Sequence, residues 1–121
     1  MADILSHNAG LSVHGFPGHD INDPFPTVID VLDGKKPAVT DPVRSMFEPG
    51  VMFEYSGGGT TISQLILTDV TKQAYDTWMY DNILKPIGMV NSSYSQPPSK
   101  KNQPFCATGY LSDGTPISNK Y

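Results

Sequence analysis

The chain has 121 residues, a length that allows a single ordinary domain. Its net charge is −4, and it contains one cysteine. One cysteine excludes an internal disulfide and a cysteine-cluster zinc site. Only two pairs of adjacent basic residues occur, and no basic stripe, so nucleic-acid binding is not expected. Eleven Gly and eleven Pro predict many turns and a modest core. No apolar run is long enough for a membrane span, and the opening residues lack the pattern of a signal peptide.

The first part of the chain predicts short helices separated by loops. Residues 3–7 read as the last turn of a helix, closed by a left-handed residue at Asn8 or Gly10. Residues 11–26 carry too many Gly and Pro for regular structure. Thr27 and Asp30 are spaced to cap a second helix, which Gly34 ends. Its expected buried residues are Val28, Ile29, Val31 and Leu32.

The central part predicts the clearest helix. A turn at residues 48–50 precedes an extended segment at residues 51–55. Residues 56–59, with three consecutive glycines, then read as a flexible entry into a helix at residues 60–71. One face of that helix is apolar, with Ile62, Leu65, Ile66 and Val70 at helical spacing.

The last part predicts a helix, a loop and a hairpin. A second periodic stretch at residues 74–84 follows without Pro or Gly, so one long bent helix is an option. Residues 91–104 form a polar loop. Residues 108–111 and 115–118 flank Asp113-Gly114, which is typical of a β-hairpin, and Pro116 places its strand on an edge.

Individual residues give weak functional signals. Tyr55 taken alone is interpreted as a packing residue, and Ser56 lacks the glycine that precedes a nucleophile elbow serine. The glycines at 57–59 could cradle a phosphate but lack a P-loop lysine. The three histidines, at positions 7, 14 and 19, are interpreted as solvated loop residues, and no metal site is expected.

Four motifs taken together are more specific. They occur in the order Ser6-His7-Asn8-Ala9-Gly10-Leu11, Phe47-Glu48-Pro49-Gly50, Phe53-Glu54-Tyr55-Ser56-Gly57-Gly58-Gly59 and Lys85-Pro86-Ile87-Gly88-Met89. This series resembles the middle of a serine β-lactamase and penicillin-binding-protein domain, of the kind found in class C β-lactamases, DD-peptidases and related esterases. The resemblance implies an α+β fold, mainly α, in which residues 1–121 are a single partial domain: the helical subdomain with long loops and a C-terminal hairpin.

The resemblance also implies site residues. Tyr55 matches the catalytic tyrosine of the family's Tyr-x-Asn motif, and Ser56 and Gly57 fall at substrate-binding positions. Gly57 replaces the family's asparagine. The family's Ser-x-x-Lys and its Lys-Thr-Gly or His-x-Gly motif are absent, as if the chain began after the nucleophile and ended before the sheet strand. A free phenol has a pKa of about 10, so a tyrosine base needs a cation such as that lysine.

The sequence therefore predicts a fragment of a serine hydrolase that works by acyl transfer, inactive in isolation and without a cofactor. Its partners would be the remainder of the parent domain and, in the complete protein, a small-molecule or peptide substrate. Its uncovered core would favour a homo-oligomer. Two alternatives are a non-catalytic binding or scaffold module of the same fold, and an unrelated small domain that binds a ligand through its Pro/Gly loops. Substrate and compartment are left open.

Overall fold

Helix α3 is the element on which the other helices of this computed structural model pack. The structure describes residues 1–117. Its helices are α1 (Ala2–Leu5), α2 (Val28–Asp33), α3 (Gly57–Thr71) and α4 (Tyr75–Met79). A π-helical turn (Tyr80–Leu84) continues α4, and a short 3-10 helix (Gln103–Phe105) precedes the strands β1 (Gly109–Tyr110) and β2 (Pro116–Ile117). Helices α1, α2 and α4 each contact α3. The expected α+β class, mainly α, is confirmed.

Helix α2 forms through the predicted cap. The Thr27 hydroxyl accepts from the Asp30 N–H at 3.1 Å, and the Asp30 carboxylate accepts from the Thr27 N–H at 2.9 Å. These two bonds satisfy N–H groups that the helix itself leaves unpaired. The Thr27 hydroxyl and N–H also lower the pKa of Asp30 from its ordinary value. Gly34 ends the helix with a φ of 63°. Ile29 is 50% exposed, so its expected burial is wrong, because the six-residue helix turns this position toward solvent.

The residue that closes α1 is His7. Its φ is 58°, the left-handed value, and the following Asn8 N–H donates to the Asp3 carbonyl at 2.7 Å. The predicted closure at Asn8 or Gly10 is therefore misplaced, although Gly10 is also left-handed, with a φ of 65°. Histidine is one of the non-glycine residues that enter this region more readily than most.

The three glycines at residues 57–59 belong to helix α3 and are not a flexible entry to it. Gly57 is the first helical residue, and Gly58 and Gly59 are buried. A Cβ on Gly58 would lie 2.6 Å from Val43 Cγ2 and 3.0 Å from the Ser12 carbonyl oxygen. Here glycine permits the loops at residues 12 and 43 to approach the helix backbone closely.

Helices α3 and α4 are separate. Lys72 adopts a left-handed φ of 57° and its N–H bonds the Thr68 carbonyl, which ends α3 without glycine or proline. Of the predicted apolar face of α3, Ile62 and Leu65 are half-buried, Ile66 is exposed, and Val70 is 77% exposed. The described residues leave this face partly uncovered at its C-terminal end.

The remaining expectations concern extended structure. The predicted hairpin is present, with Gly109 opposite Ile117 and Tyr110 opposite Pro116. Its expected last residue, Ser118, lies outside the described residues. No strand forms at residues 51–55, where the extended segment was predicted, because only one backbone hydrogen bond, from the Glu54 N–H to the His7 carbonyl, ties it to a neighbour. Within residues 1–117, no helix has the length and hydropathy that crossing a membrane requires.

The close approach at Gly58 yields a prediction. Gly58→Ala should lower the free energy of unfolding by about 1–3 kcal/mol, because its Cβ would overlap Val43 and the Ser12 carbonyl. Gly15→Ala is the matched control, since a Cβ there meets nothing within 4 Å. It should leave stability unchanged or raise it by up to about 1 kcal/mol. Urea denaturation of both variants measures the difference. Equal stabilities would contradict the packing described here.

Candidate active site around Tyr55

Tyr55 lies immediately before the N-cap of α3, with its ring between two imidazoles. The ring centroids of His7 and Tyr55 are 4.3 Å apart with a 37° interplanar angle, and those of His14 and Tyr55 are 4.8 Å apart at 47°. The side chain is 47% exposed. Among residues 1–117, its hydroxyl makes no hydrogen bond. The ring is thus held by its contacts while the hydroxyl keeps its capacity for a further partner.

His7 contacts the backbone on both sides of Tyr55. Its carbonyl oxygen accepts from the Glu54 N–H at 2.8 Å, and its Nδ1 accepts from the Ser56 N–H at 3.2 Å. The interpretation of all three histidines as solvated loop residues is therefore wrong for His7, which is half-buried. His14 is exposed, and His19 lies against Phe25 with centroids 5.6 Å apart. No group of three metal-ligating side chains occurs in the part of the chain that the structure describes.

Ser56 has its side chain directed into the fold. It is 3% exposed, and its hydroxyl donates to the Ser12 carbonyl at 2.7 Å while accepting from the Gly59 N–H at 2.9 Å. The imidazole nitrogen Nδ1 of His7 accepts from the backbone N–H of Ser56 and not from this hydroxyl. A serine nucleophile needs a base that takes its proton. The geometry of Ser56 is that of a helix cap.

The first N–H groups of α3 are used inside the protein. The Gly57 N–H donates to the His14 carbonyl at 3.0 Å and the Gly58 N–H to the Val13 carbonyl at 3.1 Å. Together with the bond from Gly59 to Ser56, these contacts remove the donors that a phosphate would require at this helix end. The loop before Phe16 thus covers the N-terminal end of α3, where the three glycines had indicated a possible phosphate cradle.

Gly57 also leaves little space for a larger side chain unless the neighbouring loop shifts by a few tenths of an ångström. A Cβ there would lie 3.1 Å from the His14 carbonyl oxygen and 3.3 Å from Phe16 Cε2. The surface beside Tyr55 therefore presents an exposed imidazole and an exposed phenyl ring, from His14 and Phe16, where the related motif carries an amide.

An open cavity of about 460 Å³ lies in the loop that follows α4, and its lining includes Val90, Ser93, Lys101 and Phe105. None of the residues that line this cavity has a ring contact or a hydrogen bond with Tyr55. It contains no residue of the four motifs.

Comparison with known proteins bears on these motifs. The family model described as Beta-lactamase matches residues 1–118. The chain belongs to the beta-lactamase family. It is similar to "Protein flp" of Staphylococcus aureus (strain N315), 32% identical over 98 residues that make up 75% of this chain and 19% of that protein. It is also similar to PbpX of Bacillus subtilis (strain 168), named as a candidate penicillin-binding protein, 24% identical over 122 residues, 100% of this chain and 28% of that protein.

The family match confirms the resemblance read from the four motifs. The chain spans about a fifth of the length of the flp relative and 28% of PbpX. The structure places the three predicted site residues together: Tyr55 before the cap, Ser56 as the cap and Gly57 in the first turn of α3. The motif analysis did not include His7 among the predicted site residues. Its position in the first motif, one residue after Ser6, was the available signal.

The Ser56 hydroxyl yields a second prediction. Ser56→Ala should lower the free energy of unfolding by about 1–3 kcal/mol, because it removes the cap and leaves the buried Gly59 N–H and Ser12 carbonyl unpaired. Ser63→Ala is the matched control on the same helix, since its hydroxyl only bonds the carbonyl of Gly59 four residues earlier. The control should change stability by less than about 0.5 kcal/mol. Thermal and urea denaturation compare the two, and a smaller loss at position 56 than at 63 would refute the assignment.

Proposed function

We propose that this chain is the helical part of a serine hydrolase domain and that Tyr55 is its catalytic proton-transfer residue. The observation that supports this most directly is the half-exposed Tyr55 ring, which two imidazoles hold at the capped start of α3 while its hydroxyl has no bond within residues 1–117. A general acid–base group needs this combination of a fixed ring and an available hydroxyl. Family membership adds the reaction class, acyl transfer.

The proposed reaction requires groups from outside this sequence. A serine Oγ would attack an amide, lactam or ester carbonyl, forming the C–O bond while its proton passes to the tyrosine oxygen. The tyrosine would then protonate the leaving group, and water would hydrolyse the acyl-enzyme in the same way. No Ser-x-x-Lys occurs in the 121 residues, so neither the nucleophile nor the cation that favours a phenolate is supplied by this sequence. The isolated chain is therefore proposed to be inactive.

The surface of the chain supports the proposal that it is a partial domain. Its accessible surface is 8340 Å². A monomeric folded protein of 13.2 kDa has about 6,400 Å² by the usual scaling with mass. The excess of roughly 1,900 Å² is more than twice what one partner buries in a standard interface. The remainder of the domain is proposed to cover it, with a second copy of the chain as the cover when that remainder is absent.

Ser56 and Gly57 are proposed to shape the substrate site through the backbone. The Ser56 side chain is buried, so it holds the turn that carries Tyr55. Gly57 leaves the surface beside Tyr55 to His14 and Phe16. A substrate with an apolar or aromatic group would suit this surface better than one that needs an amide contact.

A non-catalytic binding or scaffold module is the second candidate. The observation in its favour is Gly57, because the family's asparagine is absent and a side chain at this position would contact the loop at residues 14–16 tightly. The two candidates differ in the complete protein. A complete domain that carries a Ser-x-x-Lys and forms an acyl-enzyme is an enzyme, and one that never acylates is a binding module.

The first test concerns the chain by itself. Incubation with penicillin or with a fluorophosphonate should give no covalent adduct by intact mass spectrometry, because the sequence has no serine with the required lysine three residues later. The complete domain, treated identically, should gain one adduct. A stoichiometric adduct on the isolated chain would overturn the partial-domain proposal and direct attention to Ser56.

The second test concerns the tyrosine. In the complete domain, Tyr55→Phe should lower the acylation rate by about 10²–10⁴-fold, the usual contribution of a general acid–base group. Stability should change little, because the removed hydroxyl has no bond within residues 1–117. Tyr110→Phe, at an exposed tyrosine in the hairpin, is the control and should acylate at the wild-type rate. Near-normal acylation in Tyr55→Phe would return Tyr55 to a packing role.

A further inference from the structure

We infer that His7 is the positioning residue for Tyr55, a role that rests on the proposed function of that tyrosine. Three consecutive residues, at positions 54, 55 and 56, each contact His7 through a different group. The Glu54 N–H bonds its carbonyl oxygen, the Tyr55 ring lies against its imidazole, and the Ser56 N–H bonds its Nδ1. One residue therefore holds the backbone before and after Tyr55 as well as the ring.

The two ends of this contact are fixed by different elements. His7 closes α1 in a left-handed conformation, with its own N–H bonded to the Ile4 carbonyl at 3.2 Å. Ser56 is the N-cap of α3. Helices α1 and α3 pack on each other, and a Cβ on Gly59 would lie only 3.3 Å from Ile4 Cγ2. Because both helix ends are held by this packing, the His7 contacts limit where the Tyr55 hydroxyl can lie.

Imidazole chemistry suits the position. A ring nitrogen that accepts a hydrogen bond carries no proton, so the neutral imidazole of His7 has its proton on Nε2. The same flat ring lies against Tyr55 on one side and meets the Phe53 ring edge-on, with centroids 5.8 Å apart and planes at 83°. A side chain that supplies only an acceptor, or only a ring, would reproduce part of this arrangement.

The first experiment uses this chain and needs no activity. The imidazole ¹⁵N spectrum of the wild-type chain should show His7 as the Nε2–H tautomer, and a proton on Nδ1 would overturn the inference. In His7→Asn, the amide oxygen can replace Nδ1, and asparagine tolerates the left-handed φ. The exchange protection of the Ser56 N–H should then stay within about threefold of wild type, whereas the Tyr55 ring resonances should shift because the neighbouring ring is gone.

Two further variants complete this comparison. In His7→Ala, both the acceptor and the ring are lost, so Ser56 protection should fall at least tenfold. His19→Asn is the matched control, since His19 contacts Phe25 and not Tyr55. It should leave the Ser56 amide and the Tyr55 ring resonances unchanged. Wild-type protection in His7→Ala, or equal shifts in the control, would overturn the inference.

The second experiment separates this inference from the proposed function. In the complete domain, His7→Ala should lower kcat by about 10- to 100-fold with a smaller change in KM, since a misplaced reacting group costs rate more than binding. His7→Asn should recover most of that loss. If Tyr55→Phe is also slow but His7→Ala has wild-type kcat, His7 is not a positioning residue while the proposed function stands. If Tyr55→Phe is as active as wild type, the proposed function fails, and the tautomer and exchange measurements still judge the His7 contacts.

Discussion

The start of α3 depends on the hydrogen bonds of the buried Ser56 hydroxyl. This hydroxyl joins the Gly59 N–H of the helix to the Ser12 carbonyl of the preceding loop, and no other residue in the described chain bonds both of these groups. The parallel bonds from the Gly57 and Gly58 N–H groups to the carbonyls of His14 and Val13 complete the contact. The polar backbone groups of a loop with little regular structure are thereby hydrogen-bonded to the start of a helix. Such pairing offsets the cost of burying backbone polar groups. The loop can follow the helix this closely because glycine occupies positions 57 to 59.

Some of this structure follows from local sequence signals. The α2 cap needs only Thr27 and Asp30, three residues apart, and the hairpin needs only Asp113-Gly114 between short strands, so both were predictable without tertiary information. The role of the three glycines at residues 57–59 could not be predicted locally, because the same three-glycine sequence occurs in flexible linkers and in tightly packed helix starts. The distinction depends on Val43 and Ser12, which are distant in sequence. The end of α3 at Lys72 was also not predictable, since a lysine has no marked preference for the left-handed conformation that it adopts there.

The candidate site shows a different division. Tyr55, Ser56 and Gly57 were found through motif order, and the structure adds what each group contacts. The sequence signal for His7 was present in the motif Ser6-His7, but its meaning depends on a hydrogen bond to a residue 49 positions later. Periodicity and composition contain no information about such a pair. Motif order does contain some, because segments that recur together in one family tend to meet in the fold. The interpretation failed for His7 because that residue was judged within its own loop.

The aromatic surroundings of Tyr55 also bear on how a tyrosine could serve as a base. Two imidazole rings lie against the phenol ring and order its side chain. Under the proposed function, order and charge come from different parts of a domain: this helical part orders the ring, and a serine and lysine outside this sequence would supply the nucleophile and the charge. A preoriented hydroxyl needs less reorganisation when the charged group arrives, and that reorganisation is a cost that enzymes reduce in the transition state. Glycine in place of the family's asparagine at position 57 is compatible with this division, since the contacts that orient Tyr55 are present.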